Sequence, residues 1–256
     1  MNASPISERF RTEPAEPTPI RRVVSRRQLR VVLQPLVDLR TRTVFAYEAL
    51  VRPTTQDFDG PPRMFAAAVD SACCGELGRV IRQLAIAACP NHPLFLNIHP
   101  NELNEHWLVQ PDDPIFQHTE DVYLEITESV PLTHFRLCQS ILREIRGKGI
   151  YLVVDDLGAG YSNLKYIADL SPRVVKLDRE LIAGLTRATR LHRLVSSIVL
   201  LCEDLGASVV AEGIETVEEL HAVRDAGVHY GQGYLLARPA FPPLEVTWPE
   251  GVPIGR

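Results

Sequence analysis

The chain has no C-x-x-C pair, no H-E-x-x-H helix, no apolar run of membrane-spanning length and no excess of positive charge. Each absence removes a class of protein. Five cysteines, Cys73, Cys74, Cys89, Cys138 and Cys202, are odd in number and unpaired in spacing, so neither a disulfide framework nor a zinc site is expected, and a reducing cytoplasm suits them. They read as small hydrophobes inside helices. Eight histidines without metal-ligand spacing exclude zincin chemistry. A net charge of -5 and a pI near 5.9 lack the basic footprint that a nucleic acid polymer requires, so any phosphate the chain handles must be met locally, by metal. The longest helical stretch, near Leu191 to Leu205, is interrupted by Ser196, Ser197, Glu203 and Asp204, and no transmembrane segment or signal peptide is expected.

At 256 residues the chain can bury a large core. Residues 1–19 mix Ser, Glu and Arg with four prolines, a composition that cannot bury enough surface to order itself, so a flexible tail is expected there. Arg21, Arg22, Arg26, Arg27 and Arg30 follow as a basic cluster, which reads as a solvated helix face or as a contact for a membrane surface or partner. From there apolar strands and amphipathic helices alternate. Helices are predicted over about 62–74, 76–89, 132–146, 190–205 and 216–226, with a capping box at Thr216 and Glu219 and glycine stops at Gly147, Gly206 and Gly227. Val31 to Gln34 and Thr43 to Leu50 suit a hairpin. The alternation favours an α/β fold, a modified TIM (β/α)8-type barrel spanning residues 20–245, with a C-terminal tail over 246–256.

Acidic or amide residues recur just after the short apolar runs. Glu48 follows Val44 to Tyr47, Asn97 follows Leu94 to Leu96, Glu125 follows Val122 to Leu124, Asp155 and Asp156 follow Leu152 to Val154, and Glu212 follows Val209 to Ala211. In a TIM-type barrel such positions converge at one face although far apart in sequence. Buried carboxylates need compensation, and an all-oxygen donor set suits hard divalent cations such as Mg²⁺ or Mn²⁺. Adjacent Asp155 and Asp156 are expected to point in different directions, so that each serves one of two metals or one bridges both while its neighbour binds singly. Lys176, inside an apolar strand, needs a partner. Either Asp178 pairs with it, or cations and desolvation lower its pKa until it can orient or deprotonate a water.

Read in order, Leu33 to Asp38, Tyr47-Glu48-Ala49-Leu50-Val51-Arg52, Asn97-Ile98, Glu125-Ile126-Thr127-Glu128, Asp155 to Ser162, Lys176-Leu177-Asp178, Ala211 to Glu215 and Gln232-Gly233-Tyr234 resemble the EAL-domain family of cyclic di-GMP phosphodiesterases. The resemblance implies a barrel with an antiparallel first strand, hydrolysis of cyclic di-GMP to linear pGpG with two Mg²⁺ or Mn²⁺ ions, and a homodimer. It implies a metal shell of Glu48, Asn97, Glu125, Asp155, Asp156 and Glu212. Lys176, Glu212 and Gln232 would act on the nucleophilic water, and Gln34 and Arg52 would contact substrate. Glu128 would steady the loop from Gly158 to Asn163. Leu157, Asn163 and Pro53 depart from the family's usual residues. A catalytically silent cyclic di-GMP receptor that controls a protein partner is the alternative, and the N-terminal tail is a further place for such a partner.

Overall fold

The computed structural model describes residues 17–103, 107–127, 138–159 and 164–249. Eight strands close a barrel in sequence order. They are β1 (Leu29–Asp38), β2 (Val44–Pro53), β3 (Leu94–Asn97), β4 (Val122–Thr127), β5 (Tyr151–Leu157), β6 (Val174–Leu177), β7 (Ser208–Ala211) and β8 (Tyr230–Gly231). β1 runs antiparallel to both its neighbours, β2 and β8, while every other adjacent pair is parallel. The hairpin read from residues 31–50 is therefore part of the barrel wall, and the antiparallel first strand implied by the resemblance is present.

Around the barrel lie α1 (Pro19–Arg26), α2 (Pro61–Asp70), α3 (Cys74–Ala88), α4 (Gln139–Gly147), α5 (Lys165–Leu170), α6 (Arg179–Ile182), α7 (Arg190–Asp204) and α8 (Val217–Asp225). The expected capping box is formed: Thr216 Oγ1 accepts from Glu219 N at 3.2 Å, and Glu219 Oε2 accepts from Thr216 N at 3.0 Å. Two helix boundaries differ from the sequence reading. The helix expected to reach residue 74 stops at Asp70, because Ala72 takes a left-handed conformation with φ of 46° and Cys73 N turns back to the Ala68 carbonyl. That break brings Cys73 and Cys74 into the core. The helix expected over 132–146 is seen from Gln139, its first part lying outside the described residues.

All five cysteines are buried and none is in a disulfide. The basic cluster near the N-terminus is a helix face tied to the barrel: Ile20 and Val23 of α1 are buried, Arg21 Nη2 donates to the Ser71 carbonyl at 2.8 Å, and Arg27 Nη2 to Gln83 Oε1 at 3.0 Å. At the other end of the chain, Thr247 N donates to the Leu236 carbonyl at 2.8 Å and Trp248 packs against the main core. Among the described residues no helix is long and apolar enough to cross a membrane.

Two apolar layers organise the barrel. One lies between strands and helices. The other fills the barrel interior with Leu36, Ala46, Phe95, Tyr123, Val153, Val174 and Val210. Side chains on a strand alternate with a period of two, so the residues next above this inner layer follow by counting. Moving two positions toward the C-terminal ends of the parallel strands gives Glu48, Asn97, Glu125, Asp155, Lys176 and Glu212. On the reversed β1, two positions back from Leu36 gives Gln34. Thus one period of strand geometry gathers seven residues, scattered over most of the chain, into a single ring above an apolar floor.

Candidate active site: a carboxylate ring around a buried lysine

Lys176 stands at the centre of this ring, 1% exposed. Its Nζ lies 2.6 Å from Glu125 Oε1, 2.8 Å from Glu212 Oε1, 3.1 Å from Asp155 Oδ1 and 3.4 Å from Glu48 Oε2. Asp178, one of the two compensations read from sequence, instead caps α6 by accepting from Glu180 N at 2.7 Å. The first compensation for the buried acids is thus a lysine rather than an ion. It is insufficient: with Asp156 included, five carboxylates face one ammonium, which leaves four negative charges unbalanced if all are ionised.

The protonation preferences follow from that imbalance. Burial alone would depress Lys176, but Asp155, Glu125, Glu212 and Glu48 outweigh it and hold the ammonium well above its ordinary range. In the metal-free chain the pKa of Lys176 is therefore raised, whereas the fall expected from sequence supposed cations beside it. Burial and the neighbouring Glu48 charge push Glu125 well above the usual carboxylate range. Burial, opposed in part by Lys176, also raises Asp155. Burial and then the Asp155 charge bring Asp156 to about 6. Burial, against Lys176, brings Glu212 to about 8. Glu48 alone goes down: burial would raise it, yet the Lys176 charge and hydrogen bonds from Gln232 and Asn97 prevail. An acidic pocket short of positive charge keeps protons instead.

An amide chain orders one side of the ring. Gln34 Nε2 donates to the Ala237 carbonyl at 3.1 Å, while Gln232 Nε2 donates to Gln34 Oε1 at 3.1 Å and to Glu48 Oε2 at 2.7 Å. Asn97 Nδ2 donates to Glu48 Oε1 at 3.0 Å. Both oxygens of Glu48 are thereby fixed. Among the described residues four buried acceptors of the ring have no hydrogen-bond partner, Glu125 Oε1, Glu125 Oε2, Asp155 Oδ1 and Gln232 Oε1; Glu125 Oε1 and Asp155 Oδ1 have the Lys176 ion pair instead, which leaves Glu125 Oε2 and Gln232 Oε1.

Asp155 and Asp156 do not diverge as simple alternation would require. The β5–β6 pairing breaks register after Val154, and Asp156 has a φ of 58°, in the left-handed region that a residue other than glycine enters at some cost. The bulge leaves a carboxylate oxygen from each of Asp155, Asp156 and Glu212 within 4.8 Å of one another. This oxygen-only triad, the charge deficit and the unpartnered Glu125 oxygen fit a hard divalent cation.

A cavity of about 280 Å³ opens over the ring, lined in part by Gln34, Glu48, Glu212, Gln232, Tyr234 and Arg179. A second, of about 190 Å³, adjoins Arg52, Asn97 and Phe65. The Arg52 guanidinium donates to the Val51 carbonyl at 2.8 Å. Of the residues singled out from sequence, Gln34, Glu48, Asn97, Glu125, Asp155, Asp156, Lys176, Glu212 and Gln232 converge. Arg52 lies beside Asn97. Glu128 and Gly160 to Asn163 lie outside the described residues.

One supporting network was not foreseen. Arg82 on α3, 1% exposed, forms a two-pronged contact with Asp113 (Nη2–Oδ2 2.7 Å, Nε–Oδ1 3.1 Å) and also pairs with Glu102. Glu102 Oε1 accepts from His99 N at 2.9 Å, so this buried triad holds the backbone just after Asn97. Its members are 20 and 31 residues from Arg82 with no shared motif, and only the burial of a helix-face arginine among Leu77, Ile81 and Ala85 signals it.

A family profile described as the EAL domain matches residues 19–239. The chain belongs to the EAL domain family. Among EAL proteins, the cyclic di-GMP phosphodiesterase PA2567 of Pseudomonas aeruginosa is 32% identical over 232 residues, or 85% of this chain and 39% of that protein. Klebsiella pneumoniae BlrP1, solved as a calcium and cyclic di-GMP complex, has a TM-score of 0.69 at 31% identity, covering 83% of this chain and 56% of that one. The PaMucR phosphodiesterase in complex with cyclic di-GMP has a TM-score of 0.74 at 25% identity, covering 86% and 95%. The EAL barrel seen here spans about two fifths or less of the length of the curated relatives it matches.

Proposed function

We propose that the chain is a divalent-metal-dependent phosphodiesterase that hydrolyses cyclic di-GMP to linear pGpG. The observation that carries this reading is the ring itself: five carboxylates around one lysine, with an unpartnered buried oxygen and a three-carboxylate cluster at a strained bulge. Asp155, Asp156, Glu212, Glu48, Glu125 and Asn97 would hold two Mg²⁺ or Mn²⁺ ions. Such ions supply charge neutralisation at a phosphodiester and acidify a water.

The chain's own residues account for the remaining demands. Lys176 keeps its proton and offers Nζ–H donors from the centre of the ring, which suits holding a water's oxygen rather than removing its proton. Gln232, its Nε2 spent on Glu48 and Gln34, leaves Oε1 as an open buried acceptor for a water's O–H. Glu212, protonated up to about pH 8 in the metal-free chain, can exchange that proton as charge around it changes. Gln34 spends one Nε2–H on Ala237 and accepts from Gln232 through Oε1, so it shapes the wall of the substrate cavity with its second amide N–H left to offer. Arg52 gives the adjoining cavity a planar fork suited to a phosphate oxygen. With groups fixed by packing, little reorganisation is needed at the moment of reaction.

Incubating the purified chain with cyclic di-GMP and Mg²⁺ or Mn²⁺, followed by chromatography, is expected to yield pGpG, and Glu48→Ala should abolish it. Tight binding of cyclic di-GMP with no product would overturn hydrolysis in favour of the receptor reading.

A further inference from the structure

The turn that carries Glu212 is anchored from outside the ring by a residue with no role so far. Glu212 N continues the sheet by donating to the Leu177 carbonyl at 3.0 Å, and Gly213 then reverses the chain with a φ of 65°. Arg179, the first residue of α6, reaches across from the end of β6. Its Nη1 lies 2.5 Å from the Gly213 carbonyl and 3.0 Å from Glu215 Oε1. Among the described residues the Gly213 carbonyl has no other donor. The fit is close, since a Cβ at Gly213 would come within 2.8 Å of Arg179 Cγ and 2.9 Å of its Cβ. Glycine here therefore serves both the left-handed turn and the passage of the arginine stem.

We propose that Arg179 is a positioning residue for Glu212: by clamping Gly213 and Glu215 it fixes the turn after β7 against the strand end that carries Lys176, and so sets where the Glu212 carboxylate meets its neighbours. Glu212 belongs both to the lysine's ion pairs, at 2.8 Å, and to the cluster with Asp155 and Asp156. A small swing of its backbone would therefore disturb two contacts at once. The opposite side of the turn is held independently, by Glu219 Oε2 accepting from Glu215 N at 2.8 Å as part of the α8 cap. That contact fixes the exit of the turn and not the carbonyl beside Glu212. Among the described residues Arg179 is also the one cationic side chain lining the cavity over the ring, with Glu48, Asp178, Glu212 and Glu215.

This role rests on the proposed metal-dependent function. The test is Mn²⁺ titration of the metal-free chain by calorimetry, with a thermal melt of each metal-free variant. Arg179→Ala should weaken Mn²⁺ binding by roughly tenfold or more, as loss of a group that orients a ligand does. Its melting temperature should move by no more than about 4 °C, because the ion pair is nearly half exposed. Arg179→Lys, which can keep one contact but not both, should fall between. Arg187→Ala removes a similarly exposed pair, with Asp225 at 3.3 Å, and should leave Mn²⁺ affinity unchanged. Wild-type affinity in Arg179→Ala, or equal weakening in Arg187→Ala, would overturn the role. A wild-type chain that binds Mn²⁺ but yields no pGpG would sink the proposed hydrolysis while the Arg179 comparison still decides the clamp. No Mn²⁺ uptake by the wild type would overturn both.

Discussion

The carboxylate ring makes the stability of the metal-free chain depend on pH in an unusual direction. Glu212 is held at about 8 against an ordinary 4.5, so between those values the folded chain binds more protons than the unfolded one. The corresponding stabilisation is fully present below pH 4.5 and is lost as pH rises through 8. At about 1.4 kcal/mol per pH unit of difference, going from pH 5 to pH 8.5 should remove about 4 kcal/mol. Glu125, Asp155 and Asp156 are raised as well and act with the same sign. Lys176 does not oppose them in this window, because its raised value keeps its contribution intact below 10.5. Glu48, held low, adds a loss only on the acid side of 4.5. Urea unfolding in the presence of a chelator measures the effect. With a slope of about 3 kcal/mol per molar, the midpoint should drop by more than about 1 M between pH 5 and pH 8.5. Glu212→Gln should reduce that drop, and Mn²⁺ added at pH 8.5 should reverse it by binding the folded state. Stability that is flat or rises over this interval, or an unchanged slope in Glu212→Gln, would refute the reasoning.

Other perturbations separate the ring from its supports. Lys176→Met should slow pGpG formation by two or more orders of magnitude while destabilising the metal-free chain by about 3–5 kcal/mol at pH 8.5, since four ion pairs lose their shared cation; turnover near wild type would make the lysine purely structural. Gly78→Ala should be destabilising by about 3 kcal/mol or more although alanine is the better helix former, because a Cβ there overlaps the Glu102 carboxylate; a melt equal to wild type would contradict the packing described. Asp113→Asn should weaken the buried Arg82 triad and, through His99, loosen the segment after Asn97, visible as faster amide exchange over 98–103; unchanged exchange would show that Glu102 alone holds it.

Much of this was legible in the sequence because strand ends are where a barrel writes its chemistry. Glu48, Asn97, Glu125, Asp155 and Glu212 each follow an apolar run, and a count of two from the inner layer would have added Gln34 and Lys176, and from Tyr230 packed against that layer Gln232, without any motif. Side-chain electrostatics was not legible in the same way. From sequence, a local pair of Lys176 with Asp178 and a lysine facing the acids stood side by side, whereas in the fold β6 directs the lysine into the ring and Asp178 is spent on a helix cap. The bulge that turns Asp156 toward Asp155 and Glu212 needs a register shift against β6, a property of two strands together. The same holds for the Arg82 triad and the Arg179 clamp, whose partners meet only after the chain has folded. Helix ends were legible where a cap was encoded, as at Thr216, and misplaced at residue 71, where no sequence signal precedes the left-handed Ala72.

In the proposed function, divalent cations complete the ring at the carboxylates of Asp155, Asp156 and Glu212. Calorimetric titration of the metal-free chain with Mn²⁺, repeated in buffers of different ionisation enthalpy, tests it most directly. Uptake accompanied by proton release at pH 7, tighter binding as pH rises, and loss of that signal in Asp155→Asn and Glu212→Gln are expected. Absence of uptake, or equal uptake in those variants, would contradict it.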